Sequence, residues 1–245
     1  MAELSLIDIS KSFDGKQILE RISLSVSDAE FVSIVGPSGS GKSTLFHLIG
    51  GLLEPDSGDI YLDGERLNGK RGTISYMPQT PSLMPWRTVL DNVVLGAELI
   101  GRKNGKKAIE MLAKAGLAGY EEAYPNQLSG GMKQRVAFIR SMLSPQSFIC
   151  LDEPFSALDE FTRLDMQQWL LSMWEDHRRS ILFVTHNIEE ALFLSDRVIV
   201  LSSGPARVKA DFTIPFPRPR KESVVLSQEF LEWKKTIYQE LQVIT

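Results

Sequence analysis

The chain has 245 residues, 43% of them hydrophobic, which supplies a core for one large domain or a domain with a subdomain and sets disorder aside. A net charge of −4 argues against broad electrostatic binding to nucleic acid, while a single cysteine and three scattered histidines leave neither an intrachain disulfide nor a zinc cluster. No run approaches the ~20 apolar residues of a membrane span, and "MAELSLIDIS" lacks the basic start and apolar stretch of a secretory signal, so the expected location is the cytoplasm.

Taken in chain order, "LSLIDIS" (4–10) and "RISLSVS" (21–27) alternate apolar and polar residues, as antiparallel strands with one wetter face do. "FVSIVG" (31–36) is continuously apolar and predicts a strand buried on both faces. It runs into "GPSGSGKST" (36–44) and then the helical "TLFHLIGGLL", which is the P-loop pattern G-x-x-x-x-G-K-[ST] in its strand-to-helix setting. The loop formed by Gly36, Pro37, Ser38, Gly39, Ser40, Gly41, Lys42, Ser43 and Thr44 can wrap phosphates with backbone N–H groups. Lys42 can reach the β- and γ-phosphates, and Ser43 can hold Mg²⁺.

"GDIYLDG" is a further strand, and strand signals stop at "TISYM". From Pro81 to about Ser144 the pattern is helical, broken by "GRKNGKK" and "GLAGYEEAYPNQ", which predicts a helical insertion between two halves of a sheet domain. Near its end "LSGGMKQRVAFIR" reads as a capped helix start, with Ser129 accepting from a backbone N–H and Gly130 and Gly131 open to close approach. Such a helix end attracts anions.

Strands resume at "FICLDE" (148–153), "ILFVTH" (181–186) and "RVIVL" (197–201), with Cys150 in the core. Strands alternating with helices predict an α/β fold with a predominantly parallel sheet. Asp152 and Glu153 stand at a strand end, where ligands of parallel sheets bind; Asp152 suits a metal shell and Glu153 could accept a proton from water. His186 ends the next strand on the same edge, where a histidine on its own is ordinarily structural. His47 and His177 have no comparable setting.

Met166, Trp169, Leu170, Met173 and Trp174 recur at helical spacing and predict the packing face of one helix. Phe230, Trp233, Ile237, Leu241 and Ile244 predict a C-terminal helix docked on the body. "PRPRK" (217–221) reads as a solvated linker in preference to a binding patch.

The ordered set "GPSGSGKST", "MPQ", "LSGGMKQR", "FICLDEP", "SALD" and "VTH" closely resembles the nucleotide-binding subunit of ABC transporters over almost the whole chain. The resemblance implies a P-loop NTPase core with an N-terminal antiparallel β subdomain and an inserted helical subdomain. On that pattern residues 1–80 and 145–214 form the ATP-binding core, 81–144 the helical subdomain and 215–245 a C-terminal tail and helix.

It also implies Mg²⁺-dependent hydrolysis of ATP, with roles carried over by position. Phe13 would stack on adenine, Gln79 would contact Mg²⁺ and water, and Asp152 and Ser43 would complete the metal site. Glu153 would be the base and His186 the γ-phosphate contact, while Asp159 would connect two nucleotide sites. Two copies would dock head to tail, so that Ser129, Gly130 and Gly131 of one reach the phosphate held by Lys42 of the other.

Partners implied by the resemblance are a transmembrane permease, which would hold the chain at the cytoplasmic face of the membrane, and an extracytoplasmic substrate-binding protein. Leu83, Met84, Pro85 and Trp86 are candidates for permease contact, with burial in the core the rival reading. "MPWRTVLDNV" and "PRPR" resemble importers of the nitrate, sulfonate and taurine type, a group that includes uptake systems for pyrimidine vitamin precursors. A non-transport ABC ATPase and an exporter or lipoprotein-release ATPase are the alternatives.

Overall fold

The computed structural model describes residues 2–102, 105–156 and 158–242. Strand β1 (Leu4–Phe13) and β2 (Lys16–Val26) form a hairpin whose two-residue turn, Asp14–Gly15, has positive φ at both positions. That geometry matches the right-handed twist of the flanking strands. β4 (Ser57–Leu62) pairs with β1 and β5 (Glu65–Arg66) with β4, giving an antiparallel sheet in the order β2-β1-β4-β5.

Strict alternation from Leu4 and Leu6 would turn Asp8 toward the core. Instead the chain breaks register at Asp8, where φ is 50°, and Ile9 is buried while Ile7 faces out. Arg21, also at positive φ, meets Asp8 across the bulge at 3.4 Å. A bulge of this kind changes the phase of a strand without ending it.

The second sheet has the order β10-β9-β3-β8-β7-β6. Its members are β3 (Phe31–Val35), β6 (Ser75–Met77), β7 (Phe148–Asp152), β8 (Ser180–Thr185), β9 (Arg197–Leu201) and β10 (Val208–Thr213). All pairs are parallel except β10 with β9. Strands β3, β7 and β8 are buried at every position, so the uninterrupted apolar runs belong to a sheet covered on both faces. Burial pushes the Cys150 thiol well up from its ordinary pKa, consistent with a core role.

Helix α1 (Lys42–Ile49) follows β3. Between β6 and β7 lie α2 (Val89–Leu99), α3 (Gly105–Lys114) and α4 (Gly130–Leu143); Lys103 and Asn104 of "GRKNGKK" fall outside the described residues. α5 (Glu160–His177), α6 (Ile188–Leu194) and α7 (Gln228–Gln242) complete the fold. The architecture is α/β, a P-loop core with a predominantly parallel sheet and an antiparallel sheet beside it. None of the described helices is long and apolar enough to cross a membrane.

Met166, Leu170, Met173 and Trp174 on α5 are buried as predicted, and Trp169 lies partly buried with its ring centroid 5.0 Å from that of Phe138. On α7 Phe230 and Ile237 are buried against the body, with Trp233 and Leu241 partly so; Ile244 lies outside the described residues. The solvated-linker reading of "PRPRK" is corrected. Arg220 is buried and donates to the carbonyls of Leu192, Phe193 and Ser195, and Arg218 donates to Leu194 O and Asp196 while lying 4.2 Å above the Trp174 ring. Two guanidiniums thus satisfy the carbonyls left open at the end of α6, and the favourable sign of the helix dipole there adds to the bond energy.

Candidate active site

Parallel register brings the C-terminal ends of four strands into one row. Val35 pairs with Thr185, Asp152 with Val184 and Met77 with Leu151, so the residues that follow each strand emerge side by side. These are the P-loop, His186, Glu153 and the segment leading to Gln79. They line a cleft of ≈ 740 Å³, within the roughly 300–1,000 Å³ of ligand pockets.

The loop enters α1 through Gly39 at φ 76° and Gly41 at φ 87°. A Cβ on Gly41 would sit 2.8 Å from both Ile18 Cγ2 and Leu19 Cδ2, so position 41 needs glycine for its backbone and for its space. Gly41 is the N-cap and gives α1 no side-chain cap, which leaves the helix start facing the cleft. Lys42 Nζ donates to Gly36 O and Pro37 O, both at 2.9 Å. Burial pulls the Lys42 ammonium below its ordinary pKa, and the carboxylates of Glu153 and Asp152 pull it back up. Phe13, 41% exposed at the end of β1, also lines the cleft.

Asp152 is buried at the end of β7. It takes hydrogen bonds from the hydroxyls of Ser43 and of Tyr76, the latter at 3.2 Å. Burial raises its pKa above the usual carboxylate value, an effect that the two hydroxyls oppose and the neighbouring Glu153 reinforces. Burial, with Asp152 next in weight, pushes the Tyr76 phenol up.

Glu153 has φ 43°, a left-handed conformation costing ~1–3 kcal/mol for a side chain of this kind. Its N–H bonds Val184 O at 2.9 Å and its carbonyl accepts from the Ser156 hydroxyl at 3.0 Å, which hold the turn. The consequence is that adjacent carboxylates, which would alternate in a continuing strand, both line the cleft. Glu153 Oε2 lies 3.1 Å from His186 Nδ1 and 3.4 Å from Gln79 Nε2, and Gln79 also donates to Ser156 Oγ at 3.1 Å.

Among the described residues no group of three or more His, Cys, Asp and Glu could hold a metal by itself. The donors at the cleft are the Ser43 hydroxyl, the Asp152 carboxylate and the Gln79 carboxamide. That short all-oxygen set fits Mg²⁺, which keeps waters and phosphate oxygens in its shell and does not need a full protein cage.

Ser129, Gly130 and Gly131 do not line the cleft. Ser129 caps α4, its hydroxyl accepting from Met132 N–H at 3.3 Å, and a Cβ on Gly130 would meet nothing within 4 Å. Gln134 in the same helix is buried and donates to Pro154 O, which ties the helix to the turn after Glu153. Asp159 also lies outside the cleft; it caps α5, accepting from the Thr162 hydroxyl at 2.6 Å and from Thr162 N–H at 3.0 Å, and these bonds lower its pKa.

In the segment after Gln79, Leu83 packs on the core while Trp86 is 71% exposed. The side chain of buried Asn92 bonds Met84, Arg87 and Thr88, and Arg140 donates to Pro81 O and Ser82 O, so Trp86 projects from a held loop. Tyr76, Ser156 and Ile18 are cleft or supporting residues that sequence reasoning missed. Tyr76 alone left a signal, a phenol within an apolar strand that needs a partner once buried.

The sequence profile described as ABC transporter matches residues 19–156. The formylaminopyrimidine import ATP-binding protein of Halalkalibacterium halodurans is 44% identical, over 89% of this chain and 87% of that one. An aliphatic sulfonates import ATP-binding protein of Bacillus cereus is 37% identical, over 98% and 96%. Among solved structures, an ATP-binding cassette in a dimeric post-hydrolysis state with ADP and Pi superposes with a TM-score of 0.74 at 31% identity, covering 87% of this chain and all of that one.

Proposed function

This chain belongs to the ABC transporter family as an ATP-hydrolysing subunit, and from that premise we propose that it powers an importer through a head-to-tail pair of copies and a separate permease. The observation that carries the catalytic reading is the convergence of Lys42, Asp152, Glu153, Gln79 and His186 on one cleft. Lys42 and the start of α1 hold the phosphates of ATP, and Phe13 supplies a ring for the base to stack on. Glu153 orients and deprotonates the attacking water, with Gln79 and His186 steadying its carboxylate. His186 and Lys42 stabilise charge on the transferred phosphoryl group. Ser43, Asp152 and Gln79 would hold Mg²⁺, which when bound neutralises phosphate charge and polarises the phosphoryl group.

Ser129, Gly130 and Gly131 lie outside the cleft and expose a helix start, which supports their acting on the phosphate of a second copy. ATP then closes the pair and ADP loosens it, because closure depends on a phosphate that hydrolysis releases. Asp159, exposed at the start of α5, is the link between the two sites. On this reading residues 81–144 form the helical subdomain that carries Ser129, residues 1–80 and 145–214 the ATP-binding core, and 215–245 a tail docked upon it.

Trp86 on its held loop is the permease contact, and the permease keeps the chain at the cytoplasmic face of the membrane. The import proteins among the relatives support the importer reading and an extracytoplasmic binding protein upstream of the permease. Glu153→Gln tests the catalytic assignment: kcat should fall ~10²- to 10⁴-fold with ATP affinity retained, as general-base loss requires. Unchanged turnover would remove Glu153 from the reaction. Trp86→Ala should leave ATPase of the isolated chain intact and lower transport in the assembled system.

A further inference from the structure

A connected polar cluster stands behind His186, away from the cleft. Glu190, buried on α6, accepts a hydrogen bond from the Thr185 hydroxyl at 2.5 Å. That hydroxyl in turn accepts from the Asn187 N–H at 3.0 Å, and Asn187 Oδ1 caps α6 through the N–H groups of Glu189 and Glu190 at 2.8 and 3.4 Å. His186 is therefore flanked on both sides by residues whose positions depend on the Glu190 carboxylate.

The other oxygen of Glu190 faces Arg163 Nε at 3.7 Å. Arg163 Nη2 donates to Leu158 O at 2.7 Å and its backbone N–H to Asp159 O at 2.9 Å. One guanidinium thus spans from the segment that ends in Asp159 to the helix that supports His186. Arg163 Nε is buried with no hydrogen-bond partner among the described residues, so its tie to α6 is the charge on Glu190. A void of ≈ 20 Å³ separates the pair from Glu153 and His186, close to the reacting groups without touching them. Burial raises the Glu190 pKa, and the Thr185 hydroxyl and Arg163 oppose that rise.

We propose that Arg163 and Glu190 are positioning residues that couple the segment ending in Asp159 to the orientation of the His186 imidazole. This rests on the role given to His186 above. A second copy that engages Asp159 then moves or steadies His186 through one ion pair and one hydroxyl, and the histidine is aligned when the pair of copies is formed. Removing the Arg163 charge leaves the buried Glu190 carboxylate without its counter-charge, removing the Glu190 charge releases Arg163 from α6, and in either case the turn bearing His186 relaxes. A displacement of about 1 Å at such a group costs on the order of 10- to 100-fold in rate.

The test uses the full chain carrying Arg163→Gln, Glu190→Gln or both, with steady-state ATPase and the ¹⁵N spectrum of the histidine rings. Glu190→Gln keeps the side-chain volume, and Arg163 is partly exposed, so the Arg163→Gln chain provides a readout if Glu190→Gln folds poorly. Each single change is expected to lower kcat about 10-fold with KM for ATP within about twofold, and the double to be no worse than the weaker single, as for residues acting as a unit. The ring signals of His186 should shift while those of His47 and His177 stay. Unchanged kcat, a KM that rises with the loss of kcat, losses that multiply in the double, or movement of all three histidine signals would overturn the proposal. His186→Ala is run in parallel. Full activity in that variant removes the role of His186, whereas an inactive His186→Ala beside fully active Arg163 and Glu190 variants removes the coupling alone.

Discussion

At the start of α1 the backbone turns through Gly39 and Gly41 at positive φ, no side chain caps the helix, and Lys42, Asp152, Glu153, Gln79 and His186 gather in front of it. At the start of α4 Ser129 caps its own helix, Gly130 has open space beside it, and neither lines the cleft. Both are helix N-termini with the same backbone dipole. The difference teaches that a helix start becomes a candidate reaction site only when other elements bring charge and acid–base groups to it; on the proposed pairing, a second copy brings them to the start of α4.

The substitution expected to break the comparison most severely is Ser129→Arg. A single chain should bind ATP as before through Lys42, while steady-state hydrolysis by the pair falls by at least ~10²-fold, the scale of losing a preorganised contact to developing charge. Normal turnover would mean that the start of α4 serves no phosphate. Lys42→Ala attacks the other start and should weaken ATP binding itself by roughly 10- to 100-fold, the worth of a charge-assisted hydrogen bond, measured by nucleotide titration.

A pair of alanine substitutions sharpens the contrast through stability. Gly41→Ala forces a side chain into positive φ and against Ile18 and Leu19, and should cost about 2–4 kcal/mol in denaturant unfolding. Gly130→Ala meets no neighbour and should change stability by less than about 1 kcal/mol, while the proposed pairing, in which a second copy approaches there, predicts a fall in hydrolysis. Equal stability losses at the two positions would erase the distinction.

The smallest expected effect is the pH dependence of Asp152. Its folded-state pKa is raised by burial, so the stability contributed by its neutral form is full below the ordinary carboxylate range and is lost as pH rises through the folded value. Asp152→Asn stays neutral and should melt at a higher temperature than the parent at neutral pH, with the gap closing in acid. A gap that widens in acid would reverse the sign of the argument.

Much of the cleft was legible because its chemistry is local in the chain. The P-loop glycines, Lys42 and the strand-ending carboxylates each follow from a few consecutive residues and an apolar run before them. The capping of α4 by Ser129 was legible for the same reason. Tyr76, Ser156 and Ile18 were not, because their relation to Asp152, Gln79 and Gly41 exists only between segments far apart in sequence. Arg218 and Arg220 misled in the opposite direction: in a proline-rich run they look like solvated charges, yet the carbonyls at the end of α6 offer them a buried set of acceptors. Periodicity also missed the bulge at Asp8, since a two-residue alternation carries no mark of where its phase changes.

By itself the sequence determined which backbone stretches become buried strands, which turn must contain glycine, and which side chains have the chemistry to hold phosphate and move a proton. These follow from local sterics and from the pattern of apolar residues. Only the tertiary structure decided that they meet. The order β3-β8-β7-β6 sets strands remote in the chain next to one another in parallel register, and the shared direction of their C-terminal ends gathers the P-loop, His186, Glu153 and Gln79 in one place. Long-range strand pairing, which minimises exposed backbone and apolar surface over the whole chain, assembled the cleft, and it left the start of α4 outside.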